Sequence, residues 1–241
     1  MLSDQMAAVL ALLGGEGGSG AGLSPAAAAA AAAALAVDGI SAGVGTGPAG
    51  TVLTWGRGGT SAALEEVGFT LGEGPGRDCM TAGSPVLVAD LSRAAARWPA
   101  FAPAAIGLGV RAVFALPLRI GAISVGTLLA HRGTEGSLRN GQLVDALALA
   151  DTLTVLLLRR AMDGPAHAIA DGEGPRPGWS APATHRVEVH QATGIISVQL
   201  GVSLAEALLR LRAHAYATDR SLNAVAGDVV ARRLRLEGPA S

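Results

Sequence analysis

The sequence predicts an α+β chain, with an antiparallel sheet flanked by helices, then a linker, then an all-α unit of three short helices. Three observations carry this. Between residues 40 and 131, short apolar runs alternate with Gly-rich connections, the pattern of strands and turns. From Ser137 to Met162 the apolar residues form one long helical segment. Residues 164–183 hold four prolines and four glycines, too many for a regular element, and helical spacing resumes after them.

The elements follow in order. Asp4 to Leu13 reads as a short helix stopped by Gly14 and Gly15, and residues 14–22 as a flexible Gly/Ser-rich connection. Ser24-Pro25 is a helix start, with Ser as N-cap and Pro at the first helical position, and the helix is expected to run through the alanine tract to about Val37. Ile40 to Val44 and Thr51 to Trp55 read as a hairpin around residues 45–50, and Leu64 to Phe69 as a third strand. Leu71 to Gly76 is a Gly-rich turn into a short helix near Arg77 to Thr81; Pro85 to Val88 is a short strand. Trp98 to Leu108 is a helix interrupted by Pro99 and Pro103. Arg111 to Arg119 and Ala122 to His131 form the clearest strand pair, and their apolar runs predict burial on both faces.

The helix from Ser137 is apolar nearly all round from Leu153 to Leu158, more than one buried face requires. A homodimer is the simplest source of a second buried face. Leu143 to Leu158, interrupted by Asp145 and Asp151, reads as too short and too polar to span a bilayer, so no membrane partner is expected. The organisation is therefore a sheet domain over residues 1–163, a linker over 164–183 and a helical domain over 184–241.

In that last domain His185 to Leu200 is the first helix, closed by Gly201. Ser203-Leu-Ala-Glu206 is a capping-box pattern opening the second, whose core stripe is Leu204, Ala207, Leu208, Leu211 and Ala215. Ser221 caps the third, which turns Leu222, Val225, Ala226 and Val229 inward.

Composition limits what such a chain can do. The net charge is −1 and every basic residue is arginine, so contact with a polyanion must come from a local patch. The single cysteine, Cys79, excludes an internal disulfide and a cysteine-only zinc site. With no basic N-terminal signal region, a cytoplasmic location is expected. His185, His190 and His214 lie at no metal-ligand spacing with acidic or cysteine partners. No Ser-His-Asp, HExxH or kinase pattern is evident, so the chain does not read as an enzyme. His131 reads as an exposed strand-end histidine rather than a haem ligand, and Cys79 as a packing residue rather than a redox or bilin-attachment thiol.

The C-terminal pattern resembles the ANTAR domain. The matching residues are Gln191-Ala192 and Gly194-Ile195-Ile196 in the first helix, Glu206-Ala207, Leu211-Arg212 and Ala215 in the second, and Leu222, Val225-Ala226 and Val229-Val230 in the third. The resemblance implies binding to RNA stem-loops in nascent transcripts, which prevents terminator formation. Phosphate calls for cations and unpaired loop bases call for flat groups. Arg212 and Tyr216, at i and i+4 on the second helix, supply one of each. Arg210, Arg186, Arg232 and Arg233 are candidate phosphate contacts, the last two and Arg235 being placed in the final turn of the third helix. Gln191, Thr193 and Gly194 complete the candidate RNA-binding set. The sequence departs from the family at Thr193, where lysine is usual, and at the uncharged Ser197-Val198-Gln199.

The N-terminal domain resembles a GAF domain of the kind common in actinobacterial regulators. The residues are Leu71-Gly-Glu-Gly-Pro75, Pro85 to Leu91, Trp98-Pro99 and Gly109 to Val113 followed by Leu116-Pro-Leu118. This implies a central antiparallel sheet with helices on one side and loops enclosing a small-molecule pocket on the other. No ligand or cofactor signature transfers. Together the resemblances imply a sensory GAF domain controlling an ANTAR domain. The alternative is a GAF-based module acting through protein contacts, with a C-terminal domain that no longer grips RNA.

Overall fold

The computed structural model describes residues 1–15, 23–44, 53–57, 59–170, 179–180, 184–218 and 220–236. The tip of the expected first hairpin, residues 45–50, lies outside them.

Two helices open the chain, α1 (Asp4–Gly14) and α2 (Pro25–Ala34). Ser3 and Ser24 cap them, each hydroxyl accepting from the amide three residues on. Helix α2 ends with the alanine tract at Ala34, short of the expected end near Val37. Ala36 adopts a left-handed φ of 49°, and the amides of Ala36 and Val37 bond back to the carbonyls of Ala33 and Ala32. That is a Schellman closure on a residue other than glycine.

The sheet strands are β1 (Gly39–Val44), β2 (Leu53–Arg57), β3 (Val86–Val88), β4 (Ala112–Ile120), β5 (Ile123–Arg132) and β6 (Trp179–Ser180), in the order β3-β4-β5-β1-β2-β6, all pairs antiparallel. Pro117 is tolerated in β4 because the register with β3 ends at Ala115. The strands approach closely at Gly126, where an added Cβ would lie 2.0 Å from the carbonyl oxygen of Gly43.

Ala112 to Leu118 is buried at every position, as the continuous apolar run predicts. Alternate residues feed two cores. Ile40, Ala42, Val44, Phe114, Leu116, Leu118, Leu128 and Ala130 pack on α1, α2 and the long helix α6 (Asn140–Ala170). Val113, Ala115 and Leu129 pack on the other face with Leu64, Cys79, Leu91, Trp98 and Phe101. Apart from Trp98, which lies in the connection before α5, these belong to α3 (Gly59–Leu71), α4 (Pro75–Ala82), a 3-10 turn (Leu91–Ala94) and α5 (Phe101–Gly107). Helices therefore cover both faces, whereas the sequence suggested helices on one side and loops on the other.

Several expectations are corrected. Leu64 to Phe69 is helical, not a strand: Ser61 and Leu64 are buried at a helical i, i+3 spacing, with Val67 and Leu71 packed against the same core. His131 is 5% exposed, its Nε2 3.1 Å from Ser61 Oγ. It sits under α3, which the strand reading had left uncovered. Ser61 is itself 2% exposed, so this pair is closed to any substrate.

Helix α6 starts at Asn140 and continues past Gly164 and Pro165 to Ala170, and Trp179–Ser180 pairs with β2, so the Pro/Gly-rich stretch does hold regular structure. A proline removes one bond from a long helical ladder and need not end it. The α6 segment Asn140–Arg159 is, by length and composition, apolar enough to cross a bilayer, contrary to expectation. Ala146, Leu149, Ala150, Leu153 and Leu157 are spent on the sheet core, while Val144, Leu147 and Val155 remain exposed. Asp145, which interrupts the apolar run, is buried and accepts from the amide and hydroxyl of Ser3, pinning α1 to α6.

Candidate nucleic-acid interface

The C-terminal helices are α7 (Thr184–Leu200), α8 (Leu204–Ala217) and α9 (Leu222–Val230). They enclose their own core of Val189, Ala192, Ile196, Ala207, Leu208, Leu211, Ala215, Leu222, Val225, Ala226 and Val229. Leu204, placed in that stripe by its spacing, is instead half exposed in the first turn. The α7–α8 corner is a Schellman closure, with Gly201 at φ +64° and the Val202 amide bonded to the Ser197 carbonyl. Ser203 and Ser221 cap α8 and α9, accepting from Glu206 and Ala224. Only this half of the capping box forms at α8. The Glu206 carboxylate turns along the helix to Arg210, 2.7 Å away.

The candidate RNA-contact residues separate by position. Gln191 is exposed on α7, while Thr193 is 6% exposed and donates its hydroxyl to the Val189 carbonyl, so its side chain serves the helix rather than the surface. Gly194 is half buried. Arg186 lies in α7, but its side chain is outside the described residues. Arg232 and Arg233 lie beyond α9 rather than in its last turn. Arg232 is in the left-handed region at φ +61°, and the amides of Arg232 and Arg233 bond back to Val229 and Asp228. Arg233 and Arg220 both pair with Asp228, and those two bonds, Arg220's first, hold its carboxyl below the usual carboxylate range.

On α8, Leu209 and Tyr216 are exposed and Arg212 lies between them, all lining a groove of about 1240 Å³. The opposite wall is the end of α3 and the start of α4: Thr70 to Glu73 and Arg77. Tyr216, 82% exposed, presents its ring to this space. Arg212 does not project freely into it. Its Nη2 donates to the Phe69 carbonyl, and its guanidinium carbon lies 5.4 Å from the centroid of the Phe69 ring. Its Nε is buried with no acceptor among the described residues. Burial, reinforced by the charge of Arg77, pulls Arg212 down to about 10. Sequence reasoning placed Arg212 and Tyr216 on one helix face. It could not find Phe69, whose role depends on a contact between residues far apart in the chain.

Cys79 is fully buried in the second sheet core, and that burial pushes its thiol up to about 12. A thiol so placed is protonated and inert at neutral pH.

Residues 181–230 match the ANTAR domain family, so the chain carries an ANTAR domain there. Solved structures similar to the chain include the GAF domain of a phosphoenolpyruvate-protein phosphotransferase from Acinetobacter, at 13% identity and TM-score 0.48 over 71% of this chain and 96% of that one. The corresponding GAF domain from Coxiella burnetii gives 19% identity and TM-score 0.45 over 70% and 99%. A free methionine-R-sulfoxide reductase from Neisseria meningitidis, solved in complex with its substrate, gives 14% and 0.45 over 68% and 96%. No curated protein matches the chain. The architecture is an antiparallel sheet domain followed by a three-helix domain that matches the ANTAR family.

Proposed function

We propose that this chain, with its ANTAR domain at residues 181–230, is an RNA-binding transcription antitermination regulator whose sensory GAF-like domain controls binding to paired RNA stem-loops. The observation that carries the reading is the ANTAR match itself, over a three-helix unit with its own core and helix caps. Arg212 and Tyr216 on α8 are the proposed contacts for phosphate and an unpaired base. Gln191, Gly194, Arg186, Arg210, Arg232 and Arg233 are the proposed surrounding contacts, and cytoplasmic action follows from this role. A second copy, paired along the exposed Val144, Leu147 and Val155 of α6, would present two modules to two hairpins, and the second contact would then gain from effective concentration. The GAF-like domain would take a small-molecule signal.

The test is binding of the full chain to an RNA with two short hairpins. The Arg212→Ala, Tyr216→Ala double variant is expected to lose at least about tenfold in affinity through lost phosphate and stacking contacts. The second reading, signalling through protein contacts, is favoured by the inward-turned Thr193 and by the occupied guanidinium of Arg212. It expects no RNA binding in either protein.

A further inference from the structure

The α8 face assigned to RNA meets the end of α3, and Arg212 makes the contact. Phe69 lies in the last turn of α3, where carbonyls lack helical donors and carry the negative end of the helix dipole. Arg212 takes up that carbonyl from the other domain. The Phe69 ring packs against the C-terminal core as well, edge-on to His190 of α7 with centroids 6.2 Å apart, so one side chain touches two helices of the RNA module. Gly72 allows this closeness: at φ +70°, an added Cβ would lie 2.8 Å from Arg212 Nη1.

The contact reproduces what RNA would offer, a negative oxygen for the guanidinium and a flat ring to stack on it, but incompletely. A helix end supplies a partial charge where phosphate supplies a full one and accepts two parallel bonds. Arg212 Nε is left buried without an acceptor among the described residues, which is costly. Arg77 stands near enough for its charge to oppose that of Arg212, and neither pairs with a carboxylate among the described residues. The docked arrangement therefore holds Arg212 less well than phosphate could.

We infer that the last turn of α3, with Phe69 as its wedge, is an autoinhibitory element that occupies the RNA-binding face of α8 and must be displaced before RNA is bound. This rests on the RNA reading of α8. It adds a regulatory role for Phe69 and a route by which the GAF-like domain acts: anything that moves α3 changes access to Arg212. Apparent affinity is reduced by the fraction of molecules that are docked, so undocking variants bind more tightly without gaining any contact.

Hairpin RNA titrated into the full-length wild type and Phe69→Ala variant tests this, with Arg212→Ala as a third protein. Phe69→Ala is expected to bind roughly tenfold more tightly than wild type, for a closed population of roughly nine in ten, and Arg212→Ala more weakly than wild type. Equal or weaker binding by a folded Phe69→Ala, with wild type still binding, overturns the autoinhibition and leaves the RNA reading standing. No binding by any of the three overturns both. A measurement on wild type alone covers a Phe69→Ala that fails to fold. Adding RNA is expected to speed amide hydrogen exchange over residues 66–73 as the turn is released. Unchanged or slower exchange there, under RNA saturation, overturns the inference.

Discussion

Arg212 shows how far a single residue can be read from sequence. Its place beside the α8 core stripe followed from helical spacing, but its partner did not, because the Phe69 carbonyl comes from a segment whose sequence suggested a strand. His131 was legible as a residue type and not as an environment, whereas Cys79 sits in a core as a packing residue should. His131 is buried, and that burial lowers its pKa below the usual 6.5, against the opposing charge of Asp38. A histidine held neutral in the fold contributes stability that is present above about 6.5 and lost as pH falls through the folded value, because the unfolded chain takes up its proton first. Denaturant unfolding at pH 7.5 and 5.5 is expected to show lower stability at the acid end, with the difference reduced in His131→Gln. For Cys79 the expectation is slow alkylation of the native protein and fast alkylation once it is denatured, read by mass spectrometry.

At the scale of elements, capping residues and turn glycines were the most readable signals. Ser24, Ser203, Ser221 and Gly201 all stand at the helix ends that their types predict. Each of these serines accepts a first-turn amide, so Ser203→Ala and Ser221→Ala are each expected to cost about 1 kcal/mol, measured by chemical denaturation. Leu211 is fully buried in the three-helix core, and Leu211→Ala is expected to cost about 2–5 kcal/mol in the same assay. Helix ends without a glycine were less readable. Ala36 and Arg232 close α2 and α9 in the left-handed region, and nothing in residue type announces that. Helix α3 was missed because Leu64, Glu65, Glu66, Val67, Gly68 and Phe69 alternate too little for either period to stand out. Its face is fixed by contact with β1, β5 and α5 rather than by local pattern.

For the whole molecule, the antiparallel sheet and the three-helix unit were both visible in the sequence, the second because its small and apolar residues recur at fixed places over its whole length. What lay out of reach was the meeting of the two units. The groove between α8 and the α3–α4 corner joins residues separated by more than a hundred positions, and its arginines gain meaning only when brought together. The central claim, that the face of α8 bearing Arg212 and Tyr216 grips RNA, is tested most directly by titrating a two-hairpin RNA into the full chain at low and at physiological salt, beside the Arg212→Ala, Tyr216→Ala variant. Binding that weakens with salt and falls by about tenfold or more in the variant is the expected result. Equal binding by both proteins, or by neither, would contradict it.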